Sequence, residues 1–312
     1  IRTIRASEIL DVDEVEREKW RHLLENLAPY PVSEGGYFQE WEGVDLWESH
    51  RHLSPLYPIY PGEEIHQGSD NDHAEIGRAS VERFISRGSD GYTGFSFGWL
   101  AAAAARMGMA EAALDALHGH IKAFVNVNGF SMLGPSQFPG LAPYMANRGP
   151  DWETKLPNCE SGSSFCAGIN ELLLCSPSGN LASMPVIRVF PAVTDSWTDV
   201  RFSRLRAQGA FLVTAERRNG STSYVLLESE AGSRCQMATP WPGAAIAVQD
   251  GEGGEVPYER DGEIIAFETS AGGWYLVYPQ TEDPHLLEIV ALKSDGEQGS
   301  RLGIGAPSGP RG

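Results

Sequence analysis

The hydrophobic pattern along the chain changes period once, near residue 178. Before that point apolar residues recur at helical spacing. Residues 1 to 10 read as one short helix and 13 to 27 as a better one, with Trp20, Leu23, Leu24 and Leu27 at i, i+3, i+4 and i+7 and Asp11 or Asp13 as cap. That helix presents a single apolar stripe. Another carries Val81, Phe84 and Ile85 and is entered through Gly68-Ser69-Asp70-Asn71-Asp72, which supplies N-capping oxygens. Asp-Asn-Asp is also a calcium-ligand pattern, but the glycine and distal glutamate of an EF-hand loop are missing, so capping is preferred. Helices over about 95–107 and 110–125 follow, the second burying Ala113, Leu114, Leu117, Ile121 and Val125. Their join at Gly108-Met109 is short enough to force antiparallel packing. Residues 126–158 show little periodicity, and a last helix at about 161–175 has Phe165, Ile169, Leu172 and Leu173 on one face.

After Pro177-Ser178-Gly179 the pattern is that of strands. Residues 186–190, 210–215, 224–227, 244–248, 264–268, 274–278 and 286–290 are short β-branched or aromatic runs separated by Gly, Asn and Pro turns, which predicts an antiparallel β domain of about seven strands. Asn219-Gly220 is a type I′ hairpin signal, and Asn219-Gly220-Ser221 is also a glycosylation sequon. The Gly-, Ser- and Pro-rich tail from Ser294 reads as disordered.

Between the early helices lies a polar stretch, residues 37 to 62, that departs from any simple period. It holds Tyr37-Phe38-Gln39-Glu40-Trp41, Glu48-Ser49-His50-Arg51-His52, Tyr57-Pro58 and Tyr60-Pro61-Gly62. Aromatic rings stack on the apolar face of a pyranose, and Arg, His, Gln and Glu meet its hydroxyls, so this inventory suits a sugar site. A polar surface loop between helices is the plainer alternative. From Pro31 to Glu75 ten acids (Glu34, Glu40, Glu42, Asp45, Glu48, Glu63, Glu64, Asp70, Asp72, Glu75) face one base, Arg51. Arg51 is therefore expected to pair with carboxylates, and a neutral substrate fits this segment better than an anionic one.

The composition narrows the classes. With 312 residues, 41% of them hydrophobic and 10% aromatic, the chain can bury one large core or two ordinary ones. A net charge of −18 opposes nucleic-acid binding, and no run approaches the roughly eighteen apolar residues of a membrane span. Cys159, Cys166, Cys175 and Cys235 lack metal-binding spacing and are expected to be core thiols; no metal and no cofactor are expected. His118 and His120 lie two apart on a helix, point in different directions, and read as ordinary surface or groove residues. Glu160 stands at a helix start, where the dipole favours an ionised carboxylate; it is either a base or a plain capping acid. The chain begins at Ile1, which suggests processing or a piece of something longer.

Several motifs in fixed order resemble glycoside hydrolase family 95. They are Gly36-Tyr37-Phe38-Gln39-Glu40-Trp41, His50-Arg51-His52-Leu53-Ser54, Leu56-Tyr57 with Tyr60-Pro61-Gly62, and Asp90-Gly91-Tyr92-Thr93-Gly94-Phe95-Ser96 with Trp99. The pattern continues in Cys159-Glu160-Ser161, in Ala167-Gly168-Ile169-Asn170-Glu171 and in Ile187-Arg188-Val189-Phe190-Pro191-Ala192 with Asp195-Ser196-Trp197.

That family contains 1,2-α-L-fucosidases and some α-L-galactosidases. The resemblance implies an α + β multidomain chain: part of an (α/α)6 catalytic barrel over residues 1–178, an antiparallel β-sandwich over 179–293, and a tail over 294–312. It also implies an inverting exo-glycosidase acting on neutral fucosylated or galactosylated glycans in a secreted or periplasmic setting. Glu160 matches the base aspartate of the family, with a side chain one methylene longer that moves the carboxylate by about 1.5 Å. Arg51 and His52, with His50, match sugar-contacting positions, and Gln39, Glu40 and Trp41 a segment lining the site. The family's general acid and water-orienting asparagines are expected on segments upstream of Ile1, which would leave residues 1–312 alone inactive, and Glu40 is the fallback acid. A non-catalytic carbohydrate-binding relative is the alternative. A lyase of the same architecture stands behind it, opposed by the anionic loop.

Overall fold

The computed structural model describes residues 2–45, 48–126, 129–134, 157–179, 184–282 and 284. Six helices occupy the first part of the described chain: α1 (Arg2–Leu10), α2 (Glu14–Glu25), α3 (Asn71–Ser86), α4 (Gly94–Arg106), α5 (Ala110–Phe124) and α6 (Cys159–Leu173). Asp70 caps α3 by accepting from the His73 N–H at 3.1 Å, the capping role expected of that cluster. Ser96 Oγ accepts from the Thr93 N–H at 3.1 Å at the start of α4.

Small residues decide how α4, α5 and α6 meet. Gly94 abuts Ser161, Gly98 abuts Ser164, and Gly168 abuts Ala101, contacts that leave no room for a Cβ at Gly94 or Gly98. Both helices ascend through these contacts together, so α4 and α6 run parallel. Helix α5 returns antiparallel against them, with Gly119 under the Phe97 ring and His120 beside Gly94. Their shared core includes Leu53, Leu56 and Ile59 from the polar stretch, together with Val81, Phe97, Phe124 and Leu172. Val81 and Phe84 of α3 are buried, whereas Ile85 is exposed.

The α2 stripe has the expected period but not the expected burial. Leu23 is 63% exposed and Leu27 70%, and no residue of α2 is buried. Helical periodicity reports which face is apolar, not whether something covers it.

The second part is a sandwich of two five-stranded sheets. The first has the order β1 (Leu174–Cys175), β2 (Ile187–Val189), β6 (Cys235–Ala238), β9 (Ile264–Phe267), β8 (Glu259–Asp261). The second has the order β3 (Val200–Ala207), β4 (Phe211–Arg218), β5 (Ser221–Ser229), β10 (Trp274–Pro279), β7 (Ile246–Asp250). Inward residues of both sheets, among them Ile187, Met237, Ile265, Val213, Leu227 and Val277, form one core.

The sheets are not wholly antiparallel as expected. Strands β2 and β6 pair in parallel, because the chain leaves β2, builds most of the second sheet, and re-enters beside β2 in the same direction. Asn219 and Gly220 take φ of 49° and 79° between β4 and β5, the two positive values a type I′ hairpin requires. The expected strand at 286–290 and the tail from Ser294 lie outside the described residues.

Two side-chain networks brace the helices and join them to the sandwich. Arg106 of α4 makes a two-pronged ion pair with Glu171 of α6, at 2.9 and 2.8 Å, which holds the two helices together one turn before β1. Glu63 accepts from Ser178 Oγ at 3.1 Å and from Gln208 Nε2 at 2.6 Å. Cys175 and Cys235 are buried as expected, but Cys159 and Cys166 are exposed on α6. They fall on the face of α6 turned away from α4, which lacks a cover among the described residues.

Candidate active site

The polar stretch at 37–62 is not a loose loop. Phe38 is buried and its N–H donates to Ser80 Oγ of α3 at 2.8 Å. Asp45 accepts from Tyr37 Oη at 3.0 Å and from Arg83 at 2.7 Å, and also pairs with Arg87. Those contacts, more than the desolvation that opposes them, hold its carboxyl below the usual range. Ser49 Oγ donates to the Gly88 carbonyl at 2.9 Å. Farther along, Trp99 Nε1 donates to the Tyr60 carbonyl at 2.7 Å, Arg106 Nη1 to the Ile59 carbonyl at 2.9 Å, and the Arg106 guanidinium lies 4.8 Å over the Tyr60 ring. The segment therefore enters and leaves through buried anchors, and its middle is held open at the surface.

That middle carries His50-Arg51-His52. The Arg51 carbonyl accepts from Ser96 Oγ at 2.7 Å, which fixes the tripeptide to the N-terminal turn of α4. His52 donates its N–H to His50 Nδ1 at 3.1 Å; the two rings lie 5.3 Å apart, and the His52 ring lies 5.6 Å from Phe95. Partial burial, and then the charges of Arg51 and His50, lower the His52 pKa, while Glu40 opposes the shift. His52 is neutral at pH 7 on this account. The pairing expected of Arg51 is absent: its side chain is exposed and makes no ion pair among the described residues.

Gln39 is half-buried, its N–H bonded to the Pro31 carbonyl at 2.9 Å and its side chain accepting from Gly43 N–H at 3.2 Å. Beside it, Glu40 has one oxygen, Oε2, shut off from solvent with no hydrogen-bond partner among the described residues. Such an atom is costly unless something polar meets it. Trp41 is 59% exposed, at the rim.

Glu160 lies in the first turn of α6, capped by Asn158, which accepts from the Ser161 N–H at 2.7 Å. Its side chain is exposed. Because α6 and α4 start side by side, Glu160 lies at the same end of the helices as Ser96, Phe95 and the tripeptide pinned to them. The structure thus gathers Glu40, His50, Arg51 and His52 at one rim, with Glu160 at the neighbouring helix start.

One residue of this region differs from the surface or groove position its spacing suggests. His120 is fully buried. Its Nδ1 donates to the Gly94 carbonyl at 2.8 Å, its Nε2 meets Ser131 Oγ at 3.1 Å, and its ring stacks on Phe165 at 4.8 Å. Burial pushes its pKa down to about 4 against the opposing hydrogen bond, so the ring is neutral and Nε2 accepts from the serine. His120 thereby ties the end of α5 to the start of α4 and packs against Phe165 of α6. Its neighbours in sequence, Gly119 and Ala123, were the available signal, since the ring continues their buried face.

Residues 1–142 match the glycosyl hydrolase family 95 catalytic domain, and residues 182–277 match the glycoside hydrolase family 95 C-terminal domain. The chain belongs to glycoside hydrolase family 95. The two ranges follow the helical part and the sandwich in order, and the rim residues Gln39 to His52 lie within the first. Glu160 falls between them. No curated protein matches this family 95 chain. Among solved structures, a family 39 glycoside hydrolase from the gut symbiont Bacteroides cellulosilyticus WH2 aligns at 12% identity with a TM-score of 0.22, covering 67% of this chain and 62% of that one. The aligned part spans less than two thirds of that enzyme's length.

Proposed function

We propose that this family 95 glycosidase is an inverting exo-enzyme that removes terminal α-L-fucosyl or α-L-galactosyl units from neutral glycans. The observation that carries the reading is the anchored rim: His50, Arg51 and His52 held by Ser96 at the start of α4, with Glu160 at the parallel start of α6. In this reading the parallel α4 and α6 are inner helices of an (α/α)6 barrel and α5 an outer one, so their starts face a common cavity. Glu160 takes a proton from water that attacks the anomeric carbon on the face opposite the leaving oxygen. Arg51 donates to sugar hydroxyls, and neutral His52 offers one donor and one acceptor. Gln39 and Trp41 line the approach. Glu40, beside Gln39 in the same rim segment, is the fallback general acid.

The second reading is a non-catalytic glycan-binding relative. It is favoured by Glu160 itself, a longer acid that no hydrogen bond among the described residues holds in place. Incubating the full-length protein with a fucosylated lactose trisaccharide and measuring free fucose separates the two. Release supports hydrolysis; binding of the trisaccharide with no release contradicts it and supports the second reading.

A further inference from the structure

We propose that the open end of the second sheet is a separate, non-catalytic binding site for a neutral sugar, with Trp274 as its stacking surface. Reading the protein as glycan-active supplies only the ligand class; the site does not depend on Glu160.

The sequence places one row of side chains across four strands. Arg206 faces Leu212, Leu212 faces Glu228, and Glu228 faces Trp274 as successive cross-strand partners. Directly opposed residues share a face, and strands lie about 4.8 Å apart, so the row covers roughly 14 Å. Their sequence neighbours Ala207, Phe211, Leu227 and Tyr275 point the other way into the sandwich core. The row therefore lies on the outer face. Trp274 is 42% exposed, and its indole edge lies where a Cβ on Gly251 would sit, 2.7 Å from Nε1 and 2.9 Å from Cε2. Any side chain at 251 would displace it.

A bulge in β3 brings in a second arginine. The register shifts between Phe202 and Leu205, Arg204 takes φ 55°, and its N–H donates to Thr214 Oγ1 at 3.0 Å. A non-glycine residue in the left-handed region costs free energy and persists where surroundings hold it, often at functional sites. Here the result is that the Arg204 guanidinium reaches Glu228 over the sheet face. Arg206 pairs with Glu230 at 2.6 Å in the same way.

The cleft so formed measures about 370 Å³, with Leu212 and Leu226 as floor and Trp274 as one wall. That is at the lower end of the roughly 300–1,000 Å³ range of small-molecule sites. Its lining carries Arg204 against Glu228 and Glu230; Arg204 pairs with Glu228, and Glu230 pairs with Arg206 from beside the cleft, so both acids are neutralised on a chain of net charge −18. An anion or cation gains little there, whereas a pyranose can lay its C–H face on the indole and its hydroxyls against Arg204 and Glu228.

Native electrophoresis of the chain through gels containing fucose-bearing xyloglucan tests this, with polymer-free and polygalacturonate gels alongside. The wild-type protein is expected to be retarded by the neutral polymer. Trp274→Ala should weaken the apparent affinity at least tenfold, Trp274→Phe should keep most of it, and fucose release from the soluble trisaccharide should stay at whatever level the wild type shows. Absence of wild-type retardation, retardation only by the anionic polymer, or equal retardation of Trp274→Ala would overturn the proposal. If Trp274→Ala also unfolds, Trp274→Phe decides: a folded protein that is not retarded contradicts the site. Because binding and release are read separately, loss of catalysis leaves this result intact.

Discussion

His120 Nδ1 and the Gly94 carbonyl oxygen are 2.8 Å apart in a fully buried setting, which ties the return helix α5 to the first residue of α4. The pKa near 4, against 6.5 for a free imidazole, makes this contact sensitive to acid. Between about pH 6.5 and 4 the unfolded chain binds a proton that the folded chain does not, so stability falls as pH drops through that window and is flat above it. The full effect is about 3 kcal/mol for His120. His66, buried and lowered to about 4 chiefly by desolvation, adds a loss of the same sign. Denaturant midpoints at pH 7 and pH 5 should differ, and His120→Gln should flatten the difference. An unchanged slope in that variant would show that His120 does not titrate as described.

Arg51 is expected to serve binding and not folding. Exposed and without an ion pair among the described residues, Arg51→Ala should leave the melting temperature within a degree or two while weakening sugar affinity tenfold or more. Calorimetric titration with the free sugar, beside a thermal melt, reads both. A lower melting temperature with unchanged affinity would make Arg51 structural.

Arg106 is expected to behave in the opposite way. It is buried, paired with Glu171, stacked on Tyr60 and bonded to backbone carbonyls of the 59–62 segment. Arg106→Ala strands the Glu171 carboxylate and should cost about 3–5 kcal/mol. Urea unfolding checks the size; a loss below about 1 kcal/mol would mean that the pair is well solvated.

A contrast within the apolar residues tests the packing. Leu56→Ala, at a position with no exposure, should cost about 2–5 kcal/mol, whereas Leu23→Ala on the open α2 face should change stability by less than about 0.5 kcal/mol. Similar losses at both positions would show that the α2 face is covered in solution.

Much of this architecture is legible in the residues. The 3.6 period of α3 to α6 and their Gly, Asp and Asn boundaries fix those helices, and the β-branched runs fix β2, β4, β5, β7, β9 and β10. Four strands were not legible. Strand β3 alternates its few apolar residues with Arg201, Ser203, Arg204 and Arg206 at a sheet edge, and β8 is Glu259-Arg260-Asp261 at another edge. Edge strands carry charge to avoid further pairing, which erases the apolar signal. Cys235-Gln236-Met237-Ala238 lacks β-branched residues, and β1 is only two residues long. Of the site, the motif residues were readable, but their anchors were not. The bonds from Ser96 to Arg51, Trp99 to Tyr60 and Arg106 to Glu171 join positions 39 to 65 apart in sequence, and no local pattern encodes them.

Glu160 carries the catalytic claim, and its side chain is exposed, so its removal should not disturb the fold. Glu160→Gln should lower turnover by about two orders of magnitude or more with the melting temperature and sugar affinity unchanged. An unchanged rate would remove Glu160 from the reaction.

The stereochemistry of the product is the most direct test. If water activated by Glu160 attacks opposite the leaving oxygen, proton NMR of an α-L-fucoside digest should show β-L-fucose forming first, with the α-anomer growing in only as the sugar mutarotates. First appearance of α-L-fucose would mean a covalent, retaining route and would contradict the account.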